Sequence, residues 1–354
     1  MSILARFASR LPPVREEFHC TLGEGETPLL ESRAVGKQLG LNKLFFKCEH
    51  QNPTGSYKDR FIALELSLLR QSGANIVVGT SSGNTGSSLS AFAARYGIPC
   101  HLFVCERTPA GKLLQMRAHG AHVYRVKDFC VTPEATAETM RTLDVSAKKF
   151  GTKPVISAFA FSPEGMKGVG TMAYEIARQM KPSHVFLPGG GCGLHVAVAR
   201  GFLDSGTPCP RVHIVQPSLN DTVVTPLREG KDRARSVNST TRISGLAVQQ
   251  VYDGHDAIAA ARATKGTGFL IEDEEAWHWQ RELMSKEGIW VEPAGAVSVA
   301  GLKHAVDEGV VKPHETVVCM LTGHGFKDPA SAAMAIKGEE PMIDGSDIPK
   351  VLGL

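Results

Sequence analysis

The chain has 354 residues, which is enough to bury a large core. This length also exceeds that of most domains with a single hydrophobic core, so we expect two lobes or domains. Its 39 basic and 36 acidic residues leave a formal net charge of +3 without a long basic run, which argues against a nucleic-acid or acidic-membrane partner. The apolar fraction of 42% suits a globular enzyme, and no apolar stretch approaches the length of a membrane span.

Two further features bear on the cellular compartment. The eight cysteines are scattered through mostly apolar, strand-like runs and form no CxxC pair. This pattern favours buried, reduced thiols over disulfides or a zinc site, and we predict a cytoplasmic protein without a bound metal. The first fourteen residues carry Arg6 and Arg10 and no acid, but they are too few for a typical transit peptide, so we expect an ordinary N-terminal arm.

Strand-like and helical segments alternate along almost the whole chain. Apolar runs typical of strands occur at 44–47, 76–79, 101–104, 123–126, 155–156, 185–187, 212–215, 289–291 and 317–321. Their alternation with helical segments predicts an α/β fold of two lobes, each a mostly parallel, twisted sheet covered by helices. We expect a smaller lobe at 44–165, a larger lobe at 1–43 plus 166–337, and a tail at 338–354 that is too short for a ligand-sensing domain.

The first unusual loop is Asn52–Arg60, between the first of these strands and a helix. Pro53 and Gly55 fix a turn, Ser56 can cap the helix, and Lys58 falls in its first turn. Because the start of a helix disfavours a cation, a lysine there is unfavourable unless its amine reacts, as an imine-forming lysine does. The alternative is a solvated lysine, and the other loops must decide between the two.

The second loop, Thr80–Gly86, follows an apolar strand and opens a helix with hydroxyls, an amide and two glycines. Its backbone N–H groups can bind a carboxylate. The alternative interpretation is a well-capped helix without a ligand.

The third loop is a run of small residues between a strand and a helix: Gly189, Gly190, Gly191, Cys192 and Gly193. Small side chains let a phosphate approach the backbone and collect N–H donors at the start of the helix. The run lacks the Lys-Ser/Thr of a nucleoside-triphosphate loop and the spacing of a dinucleotide loop. It therefore favours a phosphate cup for another ligand, with a tight turn as the alternative.

The last two loops follow late strands. Val291–Ala296 carries Glu292, and Leu321–Asp328 carries Thr322 and His324. Each could be a simple turn. However, the carboxyl ends of parallel strands meet at one edge of a sheet, so the loops together would supply an amine, a carboxylate cradle, an anion cup and a hydroxyl. A cofactor with an aldehyde, a phosphate and a pyridine ring would use all four.

The motifs around Lys58, Asn84, the glycine-rich run and Thr322 resemble those of the fold-type-II pyridoxal-phosphate enzymes, with their tryptophan synthase β-like fold. Within that group the chain is similar to the threonine synthase branch, because Thr21–Leu29 and the segment after the last strand also match. The resemblance therefore spans almost the whole chain. It implies pyridoxal 5'-phosphate as the cofactor and a small amino acid as the substrate.

By this resemblance, Lys58 holds the cofactor covalently, Asn84 contacts the phenolic oxygen of its ring, and Thr322 faces the pyridine nitrogen. The cofactor phosphate would be held by Gly189, Gly190, Gly191, Cys192 and Gly193. The substrate carboxylate would be bound by Ser82, Asn84 and Thr85. A neutral hydroxyl such as that of Thr322 does not favour a protonated pyridine, so we expect loss of a leaving group from Cβ or Cγ rather than racemisation or transamination.

One segment departs from the threonine synthase pattern. Those enzymes usually place an arginine where Ser157–Gly165 has Phe159, Phe161 and Ser162, and the arginine helps to bind the phosphate of O-phosphohomoserine. Its loss would remove a charge-assisted contact of about 1.5 to 3 kcal/mol. Three cations are candidates to compensate for it: Lys112, Arg117 and Lys167.

Three hypotheses remain open at the level of sequence. The first is a threonine synthase or a close relative, a carbon–oxygen lyase. The second is a serine or threonine dehydratase or a β-replacement enzyme acting on an activated serine, because the glycine-rich cup resembles that of dehydratases. The third is a cofactor-binding protein without turnover, which the complete set of site residues disfavours. A homodimer is compatible with the sequence, which does not determine the oligomeric state.

Overall fold

The computed structural model describes residues 2–108, 110–249, 251–336 and 340–354, with the side chains of Ala110, Lys112, Ala332 and Ala335 excepted. Ten strands lie in these residues: β1 Leu29–Glu31, β2 Lys43–Lys47, β3 Val77–Gly79, β4 Cys100–Cys105, β5 His122–Val126, β6 Pro154–Val155, β7 His184–Pro188, β8 Arg211–Pro217, β9 Gly268–Ile271 and β10 Thr316–Met320.

Fifteen α-helices lie in the same described residues. They are α1 Ile3–Arg6, α2 Val35–Gln38, α3 Lys58–Gln71, α4 Asn84–Arg95, α5 Ala110–Ala118, α6 Pro133–Lys149, α7 Pro163–Met166, α8 Thr171–Gln179, α9 Gly193–Asp204, α10 Val224–Arg228, α11 Gly254–Ala263, α12 Asp273–Glu282, α13 Pro293–Asp307, α14 Pro329–Ala335 and α15 Ile348–Val351.

The strands form two sheets. A six-stranded sheet has the order β1-β2-β10-β7-β8-β9, and a four-stranded sheet has the order β5-β4-β3-β6. All neighbouring strands in both sheets are parallel except β1, which pairs antiparallel with β2. Central strands such as β7 are buried along their whole length, as parallel strands between helices must be. The predicted α/β class, with two mostly parallel sheets, is confirmed.

Two elements differ from their predictions. The strand Lys43–Lys47, placed at the start of the smaller lobe, pairs with β10 in the six-stranded sheet, so the four-stranded sheet runs only from Val77 to Val155. The apolar run 289–291 forms no strand; Val291 makes a single bridge to His324. Apolar character cannot distinguish a short strand from a buried turn. The lobe boundaries themselves, including the tail at 338–354, stay a prediction.

The prediction that all cysteines are reduced is wrong for one pair. Cys105 and Cys130 form a disulfide, with their Cα atoms 5.4 Å apart. Cys105 ends β4 and Cys130 follows β5, and these strands are parallel neighbours, so their carboxyl ends bring together two thiols that are 25 residues apart in sequence. The other six cysteines are free, and all except Cys209 are buried.

A buried ion network joins the large sheet to α3. The guanidinium of Arg60 contacts the carboxylates of Glu49 at 2.7 Å and of Glu175 at 2.6 Å, and the amine of Lys47 contacts Glu175 at 2.6 Å. All four side chains are fully buried. The network fixes the first turn of α3, where Lys58 lies.

In the part of the chain that the structure describes, no helix is both long and apolar enough to cross a membrane.

Candidate active site

A cavity of about 420 Å³ opens where the carboxyl ends of the strands in both sheets face each other. This is the edge at which parallel α/β sheets bind their ligands. Nine of the residues predicted from the sequence line the cavity: Lys58, Ser82, Asn84, Thr85, Gly190, Gly191, Cys192, Gly193 and Thr322. The structure thus brings together residues that are up to 264 positions apart in the chain, from Lys58 to Thr322.

Lys58 is the first residue of α3, and Gly55 makes the preceding turn with a φ of 86° that favours glycine. The N–H group of Tyr57 donates to the carbonyl of Thr322 at 3.1 Å, which ties this turn to the end of β10. The Lys58 amine donates a hydrogen bond to the Ser157 hydroxyl at 2.8 Å. It also lies 4.6 Å from the centre of the Tyr57 ring. The amine is therefore held inside the cavity rather than solvated at the surface.

Asp59 holds the turn against α4. Its buried carboxylate accepts hydrogen bonds from the Thr54 N–H group at 2.7 Å and from the Ser88 hydroxyl at 2.6 Å. Burial raises the pKa of this carboxyl, while the hydrogen bonds from Ser88 and Thr54 lower it. These contacts set the start of α3 beside the start of α4, so that Lys58 faces the loop that carries Asn84.

The helix α4 begins at Asn84, so its first N–H groups have no carbonyl partner within the helix and face the cavity loop. The Asn84 amide donates one hydrogen to the Glu292 carboxylate at 2.9 Å and keeps a second hydrogen for a ligand. The Thr85 hydroxyl lies 2.9 Å from that of Ser157. The loop therefore combines N–H donors and hydroxyls, which suits an anionic group such as a carboxylate.

The glycine-rich run leads from β7 into α9. Cys192 has a φ of 66° and precedes the first helical residue, Gly193. A side chain at Gly190 would place its Cβ 2.9 Å from the carbonyl oxygen of Gly245, whereas a Cβ at Gly191 would meet nothing within 4 Å. Burial raises the pKa of the Cys192 thiol, so the cup carries no thiolate to repel an anion.

Gly189 differs from the other four residues of the run. It does not line the cavity, and its N–H group donates to the Val215 carbonyl at 2.8 Å. Its own carbonyl accepts from the Gln216 amide at 2.8 Å. A Cβ at this position would lie 2.6 Å from the Ile214 side chain. Close packing against β8 therefore requires a glycine here. The N–H groups that face the cavity come from the later part of the run.

Thr322 follows β10 and is 3% exposed, with a place in the cavity wall. Beside it, Glu292 packs tightly on Gly323, where a Cβ would lie 2.1 Å from a carboxylate oxygen. The N–H group of Glu292 also donates to the Gly323 carbonyl at 2.9 Å. These contacts place a hydroxyl and a carboxylate next to each other on one wall.

Some cavity residues were not singled out from the sequence. Ser157 contacts the Lys58 amine, and its loop is held by Asp253, whose carboxylate accepts from the N–H groups of Phe159 at 2.8 Å and Ala160 at 3.1 Å. Another wall is formed by three residues after α10: Ser244, Gly245 and Leu246. No local motif marks these residues, because each contributes a single small group from a distant part of the chain.

The predicted compensating cations do not reach the site in the described residues. Lys167 is exposed and pairs with Glu164 at 2.9 Å, and Arg117 is exposed and outside the cavity wall. The side chain of Lys112 lies outside the described residues. Among the described residues, the charged side chains in the wall are Lys58, Glu292 and Lys327.

The sequence model of the family described as "Pyridoxal-phosphate dependent enzyme" matches residues 20–323. The chain belongs to this family. Pyridoxal phosphate is its cofactor, and the predictions of the family, the cofactor and an enzyme are confirmed. The chain is also 32% identical to the threonine synthase of Methanocaldococcus jannaschii, over 95% of this chain and 83% of that protein. It is 31% identical to the threonine synthase of Mycobacterium tuberculosis, over 99% of this chain and 96% of that protein.

Solved structures support the fold. The processed form of threonine deaminase isoform 2 from Solanum lycopersicum matches with a TM-score of 0.73 and 23% identity, over 99% of this chain and 85% of that one. The serine racemase of Dictyostelium discoideum matches with a TM-score of 0.70 and 23% identity, over 85% of this chain and 92% of that one. At this level of identity the likeness shows the fold alone.

The cavity fits the cofactor of this family. A phosphate needs a cradle without side chains, and the glycines at the start of α9 provide one, with open space beside Gly191. An aldehyde needs an amine, which Lys58 presents in the cavity wall, and Thr322 offers a neutral hydroxyl for the nitrogen of a pyridine ring. The donor set therefore contains a partner for each part of pyridoxal phosphate.

Proposed function

We propose that this enzyme is a threonine synthase or a close relative, a lyase that converts O-phosphohomoserine and water to threonine and phosphate. The observation that carries the proposal is the Lys58 amine, held 2.8 Å from Ser157 in a cavity with an anion cup and a carboxylate cradle. The threonine synthases of Methanocaldococcus jannaschii and Mycobacterium tuberculosis match 95% and 99% of the chain, which supports the choice of reaction.

We assign the cofactor contacts as follows. Lys58 attaches the cofactor through its amine, and the N–H groups from Gly190 to Gly193 bind its phosphate. Asn84 donates its second amide hydrogen to the phenolic oxygen, while its first holds Glu292. Thr322 faces the pyridine nitrogen with a neutral hydroxyl. When bound, pyridoxal phosphate supplies an electron sink for the bonds at the substrate α carbon.

The remaining residues bind the substrate and move its proton. Ser82, Asn84 and Thr85 bind the α-carboxylate at the start of α4, which orients the Cα–H bond. Once the amino group of the substrate has displaced Lys58 from the cofactor, the freed Lys58 amine can remove the α proton as a general base. Ser157 keeps the amine in place by accepting its hydrogen bond, and its hydroxyl shares a second hydrogen bond with the Thr85 hydroxyl. Base and carboxylate site are thereby linked through one chain of hydrogen bonds.

A second candidate is a serine or threonine dehydratase or a β-replacement enzyme, and one observation favours it. The segment Ser157–Gly165 lacks the arginine that the resemblance to threonine synthases implies, and the buried hydroxyl of its Ser162 donates to the Glu65 carboxylate at 3.1 Å. The Ser162 hydroxyl is therefore engaged by Glu65, whose carboxylate also forms an ion pair with Lys153 at 2.9 Å. A dianionic leaving group would have no arginine in this segment.

The two candidates predict different substrates. If the enzyme is a threonine synthase, the specificity constant for O-phosphohomoserine should exceed those for O-phosphoserine, O-acetylserine and threonine by at least about 100-fold, because the site must recognise the phosphate and the chain length. Product analysis should then show equal amounts of threonine and inorganic phosphate. A clear preference for O-acetylserine, serine or threonine would reject the first candidate and support the second.

A substitution tests the position of Thr322. Thr322→Asp should favour a protonated pyridine nitrogen, so elimination should slow by about 10-fold or more and the absorbance of the enzyme mixed with substrate should shift to longer wavelength. Thr322→Ser, which keeps the hydroxyl, is the matched control and should change both quantities little. Unchanged rates and spectra in Thr322→Asp would mean that Thr322 does not face the ring.

A cytoplasmic location, a homodimer and the absence of a nucleic-acid partner stay predictions from the sequence.

A further inference from the structure

A second cation lies in the cavity besides the lysine that binds the cofactor. Lys327 follows β10 in a short helical turn, and its amine donates to the Gln115 amide oxygen at 2.6 Å. Gln115 lies on α5, beside the four-stranded sheet, and its own amide donates to the Thr54 carbonyl at 3.2 Å. Lys327 and Gln115 thus join the two sides of the cavity, and both line its wall.

The carbon chain of Lys327 packs against the turn that precedes Lys58. A Cβ at Gly55 would lie 3.1 Å from the Lys327 Cε atom and 3.9 Å from its amine. This contact and the Gln115 hydrogen bond fix the amine in one place. The lysine is therefore held in a built position rather than swinging in solvent.

The surroundings of the amine suit an added anion. Its hydrogen bond goes to a neutral amide oxygen. The carboxylate of Asp59 attracts it, but that group already accepts bonds from Thr54 and Ser88. Glu292 attracts it as well and also accepts from Asn84. Burial lowers the pKa of Lys327, and the attraction of Glu292 and Asp59 offsets this effect only in part.

The other anions of the reaction have their own sites. The cofactor phosphate suits the cup at Gly190–Gly193, where Gly190 packs against Gly245 and Leu246 after α10, whereas the Lys327 amine lies against Gly55. The substrate α-carboxylate suits the N–H groups at the start of α4. Lys58 is used by the cofactor. Of the charged side chains that the described residues place in the wall, Lys327 is then the cation left for the far end of a substrate.

We propose that Lys327, held by Gln115, binds the side-chain phosphate of a phosphorylated amino-acid substrate and takes the place of the arginine that the segment Ser157–Gly165 lacks. This inference deepens the proposed function and rests on it. It assigns substrate specificity to a lysine of the loop Leu321–Asp328 that had no predicted role, in preference to Lys112, Arg117 or Lys167.

The test compares single variants of the holoenzyme. Lys327→Met should lower kcat/KM for O-phosphohomoserine by about 10- to 100-fold, because a charge-assisted contact to a dianion is lost. The dissociation constant of inorganic phosphate, measured by equilibrium dialysis with the holoenzyme, should rise by a similar factor. Lys327→Arg should keep most of the wild-type kcat/KM and of the phosphate affinity, since it keeps the positive charge. The visible spectrum of the cofactor should be unchanged in both variants, which shows that they are folded and loaded.

Two controls separate Lys327 from the other cations. Lys167→Met removes an exposed lysine outside the cavity and should leave both measurements unchanged. Lys112→Met tests the lysine on α5 whose side chain is not described. If Lys112→Met weakens phosphate binding and Lys327→Met does not, the inference is wrong.

The proposed function and the role of Lys327 are contradicted by different results. If wild-type enzyme turns over O-phosphohomoserine and Lys327→Met does so equally well, the proposed function stands and the role of Lys327 is wrong. If wild-type enzyme rejects O-phosphohomoserine, the proposed function fails, and phosphate dialysis still decides whether Lys327 binds an anion: a weaker affinity in Lys327→Met supports the site, and an equal affinity rejects it.

Discussion

Lys58→Ala should lower turnover of every substrate by at least about 1,000-fold, because it removes the residue that we propose as both the covalent anchor of the cofactor and the general base. The structure gives the reason that no other group takes over. The Lys58 amine is fixed by Ser157 at 2.8 Å, while the other described lysine in the cavity wall, Lys327, is tied to Gln115. The variant should also lose the absorbance band of covalently held cofactor and bind pyridoxal phosphate only weakly.

Chemical labelling checks the same assignment without turnover. Wild-type enzyme treated with borohydride should lose its absorbance band and carry the reduced cofactor on the peptide that contains Lys58, as peptide mass spectrometry would show. Lys167→Ala, which removes an exposed lysine, should label and turn over like the wild type. A colourless wild-type protein that gains no band when cofactor is added, or labelling of another lysine, would contradict the assignment.

The rule that parallel strands present ligands at their carboxyl ends was enough to predict most of the site. Lys58, Asn84 and Thr322 follow β2, β3 and β10, and all three line one cavity. The glycine-rich run could be recognised because all its residues are consecutive. A run of small residues just before a helix is typical of an anion-binding loop. These motifs are readable because the function of each lies within a few consecutive residues.

The rest of the site depends on pairs that are distant in sequence. Lys327 and Gln115 are 212 residues apart, and Lys58 and Ser157 are 99 apart. A single lysine or serine carries no signal of such a partner. Gly189 shows the reverse problem, because a run of glycines does not reveal which member packs on a strand and which faces a ligand.

The same limit applies to the fold. The strand β2 follows β1 closely in the chain, yet its parallel neighbour is β10, about 270 residues later, so its sheet could not be chosen from local pattern. The disulfide between Cys105 and Cys130 depends on β4 and β5 being neighbours in the four-stranded sheet. Strand order is set by packing of whole layers, which one sequence does not display.

Arg60→Met should lower the free energy of unfolding by about 3 to 5 kcal/mol, because it leaves buried carboxylates without their main cation. The guanidinium bonds Glu49 through two nitrogens at 2.7 Å and Glu175 at 2.6 Å. After the substitution, Glu49 would keep only neutral donors such as Thr27, and Glu175 would keep Lys47. Denaturant unfolding of both proteins measures the loss.

The matched control is Lys303→Met, which breaks an exposed pair with Asp307 and should change the free energy by no more than about 0.5 kcal/mol. A loss below about 1 kcal/mol in Arg60→Met would mean that the buried network contributes little. Arg60→Lys should recover only part of the loss, because one amine cannot bond two carboxylates with the planar geometry of a guanidinium.

The effect of Arg60→Met should also depend on pH, and the sign follows from Glu175. Burial alone raises the pKa of this carboxyl, but the charge of Arg60 and then that of Lys47 outweigh it and lower the pKa from 4.5 to about 2. A carboxyl with a depressed pKa in the folded state stabilises the protein above its unfolded pKa, near 4.5, and loses that contribution as the pH falls towards 2. The difference in unfolding free energy between wild type and Arg60→Met should therefore be largest near pH 8 and should shrink as the pH falls, because protonation discharges the carboxylates that the variant leaves without Arg60. A difference that stays constant down to pH 3 would mean that Arg60 stabilises the fold by packing rather than by its charge.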